Sequence, residues 1–360
     1  MTSLRIAVVT ETFYPALDGT TTTLKAQIDR WVDLGHTVRV ITATPGIASY
    51  RTATVVRLRP LEPVGGQVRA ALDAFRPDLV QVVSPGTVGR KALKHTRRVG
   101  VPAVVLATSP VLDVAADYWR SRVADRADLV VVTAQWMLGR MGEFGVGAHH
   151  WEPGVDPVAF TPALRDQWLH ESWGRAHGSP GSPHGRGPRL VVGYVGGLEK
   201  RHGVRRLAEL GRVPGVRPVI IGAGSQRDWL ESRLPGARFT GPLSTGDLTI
   251  ALPSLDVLVH PGEHETCAHA LREAGASGVP VIAPRAGGAR DVVVPLETGL
   301  LYEPGATRGL ADAVASIAAD PRRHLLGEAA RERALRRTWV QAVDEVTARY
   351  RSLVGATAAA

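Results

Sequence analysis

Ten short apolar, largely β-branched runs recur along this chain of 360 residues: LRIAVVT (4–10), TVRVIT (37–42), TVVRL (54–58), DLVQVV (78–83), AVVLAT (103–108), DLVVVT (128–133), LVVGYVG (190–196), PVIIGAG (218–224), DVLVHPG (256–262) and PVIAP (280–284). Runs that do not alternate with polar residues belong to strands buried on both faces, the mark of a mainly parallel sheet covered by helices. Leu24 to Leu34 and Val88 to Arg98 supply helix-like apolar spacing between them, and a last helical stretch is expected over about 324–354.

The series is interrupted once, by GRAHGSPGSPHGRGP at 174–188, which holds five Gly and three Pro and little to bury. The spacing predicts an N-terminal Rossmann-like domain over 1–170, a linker over 171–188, and a second α/β domain over 189–340. A helix over 341–360 is expected to pack back toward the first domain and to fray at its end.

Composition narrows the class further. A hydrophobic content of 44% supplies a core for each domain, which excludes disorder and collagen, and a lone Cys267 excludes an intrachain disulfide framework or a four-cysteine metal knuckle. The formal charge is +9, but it is spread evenly: residues 1–160 carry 18 basic and 14 acidic side chains, and 161–360 carry 25 and 20. Of the basic residues 39 are Arg and 4 are Lys, a bias of the whole chain, so nucleic acid is not expected as a partner. Neither a signal-peptide pattern nor an 18-residue apolar run occurs, so a cytoplasmic protein is expected.

In open parallel sheets, ligands bind beyond the carboxyl ends of the strands, where helix N-termini and free amides favour anions. Glycine loops stand at three such places: Gly19 after Asp18, Gly196 with Gly197, and Gly222 with Gly224. Each also serves as an ordinary turn. Neither half carries G-x-G-x-x-G with a distant acidic partner, nor a Walker A sequence. The densest segment is HPGEHETCAHALREAGASGVPVIAPRAGGARD, 260–291. With a helix beginning near Thr266, Glu265 would sit at its mouth and Glu273 two turns along, so the two carboxylates would hold opposite ends of an elongated, hydroxyl-rich ligand. Its phosphates would lie against Lys200 and Arg201; the alternative is two solvated surface glutamates. His260, Glu263, His264 and His269 are not expected to bind metal. Cys267 reads as a small packed residue, not a nucleophile.

Residues 261–303 resemble the donor-binding signature of the family-4 retaining glycosyltransferases of the GT-B fold, closest to the bacterial α-mannosyltransferase and glycolipid glycosyltransferase branch. RIAVVTETFYPALDGTTTTL, WEPGVDPVAFTP, GAGSQRDWL and FTGPLSTGDL are similar too, so the likeness covers nearly the whole chain. It implies two Rossmann-like parallel-sheet domains facing each other across a cleft. It also implies that Glu265 contacts the transferred sugar, with the amides of Thr266, Cys267 and Ala268 helping to hold sugar and diphosphate. Glu273 then binds the ribose hydroxyls, Lys200 neutralises the diphosphate, and Gly19 lets the backbone approach the same phosphates. The implied reaction is retaining transfer of a hexosyl group, mannose preferred, from a GDP- or UDP-linked donor to a hydroxyl of a glycolipid or small molecule. No cofactor or metal is implied, charge stabilisation of the departing anion supplying the catalysis.

The pattern is broken at three places. An arginine of the family is Gly197 here, a histidine near the sugar is replaced at about Thr108, beside Ser109, and a further arginine is Pro153. Thr108 and Ser109 are therefore the acceptor-side candidates. The losses open an alternative, a catalytically degenerate nucleotide-sugar-binding or partner protein of the same fold; a sugar-nucleotide epimerase is the third reading. VGRKALKHTRRV at 88–99 combines five basic residues with apolar Val88, Ala92, Leu93 and Val99, which suggests transient contact with anionic lipid on the inner face of the membrane.

Overall fold

The computed structural model describes residues 3–16, 18–175 and 189–359. They fall into two compact units, Met1–Gly154 with Trp339–Ala360 and Val155–Thr338. The Gly/Pro-rich stretch read as a linker lies, from residue 176 onward, outside the described residues, and 167–174 form a helix.

The first unit is built on strands β1 (Arg5–Thr10), β2 (Thr37–Thr42), β3 (Ser49–Tyr50), β4 (Ala53–Arg57), β5 (Leu79–Val83), β6 (Ala103–Ala107), β7 (Leu129–Val132) and β8 (His149–His150). Their order across the sheet is β3-β4-β2-β1-β5-β6-β7-β8, and every pair is parallel except β3 with β4. Strands β5 and β6 are buried along their full length, as their almost entirely apolar sequences require, Gln81 of β5 being the one polar residue. One sheet face packs against Val68 and Leu72 of the helix Val64–Phe75 and Ala92 and Leu93 of the helix Thr87–Val99. The other face is shared by Leu24, Ile28 and Trp31 of the helix Gly19–Asp33 with Ala342, Val343, Val346 and Tyr350 of the helix Trp339–Ala359.

Polar pins lock that last helix in place. Trp31 Nε1 donates to Thr347 Oγ1 at 2.9 Å, Trp151 Nε1 to the Ala342 carbonyl at 2.7 Å, and the Tyr350 hydroxyl to Gln81 Oε1 at 2.5 Å. Arg30 grips the Asp344 carboxylate with two parallel bonds of 2.8 and 2.7 Å.

The second unit has β9 (Leu190–Val195), β10 (Val216–Ile221), β11 (Arg238–Gly241), β12 (Val257–Val259), β13 (Val281–Pro284) and β14 (Gly299–Tyr302), all parallel, in the order β11-β10-β9-β12-β13-β14. The chain enters and leaves this unit side by side, Val155 bridging Thr338. The two sheets are those of the GT-B class of α/β proteins.

Several elements differ from expectation. β11 contains Arg, Thr and Gly rather than an apolar run, β14 has only a short apolar run after Gly299, and β3 and β8 are two residues long. The single helix expected over 324–354 is two, Arg323–Leu335 and Trp339–Ala359. The helix Thr87–Val99 buries Val88, Ala92 and Leu93 in the core of its own unit, so the apolar face expected to meet lipid is already occupied; of that set Val99 alone is exposed. No described helix is long and apolar enough to cross a membrane.

Candidate functional site

In the second unit, three loops at the carboxyl ends of β9, β10 and β12 are tied to one another. Leu198 N donates to the Ala223 carbonyl at 2.8 Å and Gln226 N to the Leu198 carbonyl at 2.9 Å, which binds the loop after β9 to the loop after β10. Gly222 (φ +141°) and Gly224 (φ +157°) are required there: a Cβ on either would collide with the carbonyl of Gly196 or of Leu198. Glu199 spans the same junction, accepting from Ser225 N at 3.0 Å and Ser225 Oγ at 2.6 Å, and these bonds hold its carboxyl below the usual range. Gly203, at φ +66°, comes so close to the Pro261 carbonyl that a side chain would not fit, which joins the first loop to the one after β12.

The glycine pair has its own neighbours. The Gly197 carbonyl accepts from the Tyr194 hydroxyl at 2.9 Å and from His202 Nδ1 at 2.8 Å. Lys200 and Arg201 are exposed at the start of the single turn 200–202, and Arg201 Nε lies 3.3 Å from His202 Nε2. Arg205 is already engaged, with Gln226 Oε1 at 2.8 Å and its guanidinium over the Trp229 ring at 4.9 Å.

After β12 the chain turns through His260 to Ala268 before the helix His269–Ala276 begins. The helix starts three residues later than expected because Ala268 is left-handed (φ +51°), so Glu265 belongs to the loop and Glu273 to the helix. The loop is held by its own backbone: Gly288 N donates to the Glu265 carbonyl at 2.8 Å and buried Arg272 donates from Nε to the Cys267 carbonyl at 3.1 Å. Gly287 (φ +56°) and Gly288 admit this approach, since a Cβ at 287 would come 2.7 Å from the Glu263 carbonyl. Cys267 is buried and forms no disulfide, with Thr266 Oγ1 4.0 Å from its sulfur.

The two glutamates have different surroundings. Glu265 Oε1 lies 3.3 Å from Nε2 of buried His260. Glu273 is half-buried, and burial pushes its pKa up to about 7. Among the described residues there is no group of three or more His, Cys, Asp or Glu placed to hold a metal ion.

In the first unit, Asp18 caps the helix Gly19–Asp33, accepting from Thr21 N at 2.7 Å, so Gly19 is the first helical residue beyond β1. Thr108 is buried at the end of β6, with its hydroxyl 2.8 Å from Thr20 Oγ1 and 2.7 Å from Ser84 Oγ, while Ser109 beside it is exposed. The carboxyl ends of β1, β5 and β6 thus present a hydroxyl cluster. Thr20 and Ser84 were not singled out from sequence, nor were Tyr194 and His202. The rule that ligands meet the residues just past each strand would have found Ser84 and His260, which directly follow β5 and β12.

Comparison with known proteins gives the family and the fold. The family described as Glycosyltransferase Family 4 matches residues 17–159, and that described as Glycosyl transferases group 1 matches 183–333. A GDP-mannose-dependent alpha-mannosyltransferase of Mycolicibacterium smegmatis is 35% identical over 381 aligned residues, covering 98% of each chain. One of Mycobacterium tuberculosis, with the same description, is 33% identical and covers 99% of this chain and 98% of its own. Among solved structures, sucrose-phosphate synthase from Thermosynechococcus elongatus superposes with a TM-score of 0.79 at 20% identity, covering 98% of this chain and all of that one. An Anabaena protein crystallised with UDP-glucose gives 0.78 at 17% identity, covering 97% of this chain and all of that one; both likenesses concern the fold.

Proposed function

The chain belongs to family 4 of the GT-B glycosyltransferases, enzymes that take a sugar from a nucleoside-diphosphate donor to a hydroxyl acceptor, and from that premise we propose the particular reaction: retaining transfer of mannose from GDP-mannose, without a metal ion, to a hydroxyl of a glycolipid or small-molecule acceptor. The observation that carries this reading is the arrangement of the loop 260–268 with the helix after it. It offers one carboxylate, Glu265, from a loop at the end of β12 and a second, Glu273, from the helix, beside the glycine loops at 196–197 and 222–224. Full-length likeness to GDP-mannose-dependent enzymes favours that donor over UDP sugars.

In this reading Glu265 holds hydroxyls of the transferred mannose and the amides of Thr266, Cys267 and Ala268 face the sugar and diphosphate. Glu273 accepts from the ribose hydroxyls. Lys200 and Arg201, with the backbone around Gly196, Gly197, Gly222 and Gly224, stabilise the charge that builds on the leaving diphosphate. A diphosphate oxygen then takes the acceptor proton on the face it departs from, which gives retention. Thr108 and Ser109, with Thr20 and Ser84, line the acceptor side. The exposed Lys91, Lys94 and Arg98 give the helix Thr87–Val99 an electrostatic face for anionic lipid, in place of the apolar contact first expected.

A second reading, a nucleotide-sugar binder without turnover, is favoured by one observation: Gly197 offers no cation and Arg205 is engaged elsewhere. Incubation with GDP-mannose and a panel of mannosides and glycolipids, followed by NMR of the product anomer, decides. Transfer with an α-linkage that Glu265→Gln cuts at least tenfold supports the enzyme; GDP binding with no transfer to any acceptor supports the binder.

A further inference from the structure

Glu265 has a buried neighbour to which nothing above gives a role. His260 follows β12 directly and is 6% exposed; its backbone N–H continues the sheet ladder to the Ile282 carbonyl at 2.9 Å, which fixes the residue's position. Its ring is oriented as well. Nδ1 accepts from the Gly262 N–H at 3.2 Å, so the proton of the neutral ring is on Nε2, the atom 3.3 Å from Glu265 Oε1. The Tyr194 ring, tilted by 42° with its centroid 6.0 Å away, stands on another side, and its own hydroxyl is tied to the Gly197 carbonyl.

Gly262 is what allows the imidazole and the carboxylate to meet. A Cβ there would come 2.8 Å from His260 Cε1 and 3.3 Å from Glu265 Oε1, so a side chain would wedge between the two partners. Loops are poor at holding a long carboxylate in one rotamer, and a site carboxylate needs an outer partner to fix it. His260 meets that need from a strand end, the more rigid element.

We propose that His260 is a positioning residue for Glu265. Its Nε2–H steadies Oε1, which sets the angle at which the carboxylate meets the hydroxyls of the transferred sugar, and the ring couples this carboxylate through Tyr194 to the Gly197 loop. The proposal rests on the reading of Glu265 as the sugar contact.

The test uses the purified full chain and needs no acceptor. Calorimetry gives Kd for GDP and for GDP-mannose, and their ratio isolates what the sugar adds. His260→Leu is expected to lower that ratio at least fivefold with the GDP affinity within twofold of wild type, and His260→Gln, whose amide N–H can reach the place of Nε2–H, to restore most of it. Glu265→Gln and Glu265→Gln/His260→Leu are expected to lower the ratio equally, because His260 acts through Glu265. An unchanged ratio in His260→Leu, an equal loss of GDP affinity, or independent losses in the double variant would overturn the proposal. A Glu265→Gln variant with the wild-type ratio would instead remove the sugar-contact reading itself.

Discussion

The imidazole of His202 occupies the space beside Gly197: Nδ1 donates to the Gly197 carbonyl at 2.8 Å, and a Cβ at 197 would come 3.0 Å from Cε1. The absence of a side chain at 197 and the presence of this ring are therefore one packing solution.

Gly197→Arg alone is expected to destabilise the protein by about 1–2 kcal/mol through overpacking against His202, visible as a lower urea midpoint. Gly197→Arg with His202→Ser should recover that loss, and the added cation should tighten GDP binding about tenfold. A single variant with an unshifted midpoint would contradict the packing argument.

Glu273 makes stability and binding respond to pH in opposite ways. Burial raises its pKa from 4.5 to about 7, so folding favours the neutral acid; this contribution is complete below pH 4.5 and is lost as pH rises through 7. Glu273→Gln should match wild type near pH 4.5 and exceed it by on the order of 2–3 kcal/mol at pH 8. Nucleotide binding, which needs the carboxylate as acceptor, should strengthen for wild type between pH 6 and 8 and stay flat for Glu273→Gln. A wild-type GDP affinity independent of pH over that range would refute the ribose role.

The Tyr350 hydroxyl is fully buried and donates to Gln81 Oε1, while Gln81 Nε2 donates to Gln27 Oε1 at 2.9 Å. Tyr350→Phe deprives a buried amide oxygen of this donor and should cost about 1–3 kcal/mol by chemical denaturation. GDP affinity should not change, since neither Tyr350 nor Gln81 belongs to the loops assigned to the donor.

Glu11 acts as a remote cap. Its Oε1 accepts from Val88 N at 2.9 Å and Gly89 N at 3.2 Å, at a helix whose own N-cap, Gly86, has no side chain to do so. Glu11→Ala should lower stability by about 1–2 kcal/mol, and hydrogen exchange should accelerate first in residues 87–91. Uniform protection across the helix in that variant would argue against the cap.

The buried strands were legible because a parallel strand covered on both faces is nearly continuously apolar: AVVLA meets that condition in full, and LVQVV departs from it only at Gln81, whose amide is hydrogen-bonded to Gln27 and Tyr350. β11 and β14 were not, because RFTG and GLLY owe their strand state to the neighbour they pair with. The start of the helix at His269 was hidden by Ala268, a left-handed residue without the glycine that usually announces one. The break at 336–338 was hidden because RRT carries neither Gly nor Pro. Glu265 and Glu273 were conspicuous from their motif. The partnership of His260 with Glu265 was not, because it depends on a short loop folding back on itself around Gly262.

The helix Trp339–Ala359 closes a sheet face that β1 opens. On the ribosome, then, the first unit to be translated is the last to be finished: residues 155–338 emerge and close on themselves while Trp31, Gln81 and Trp151 still await their cover. A nascent chain halted at residue 338 carries a complete second unit and a first unit whose apolar sheet face still lacks Ala342, Val343, Val346 and Tyr350.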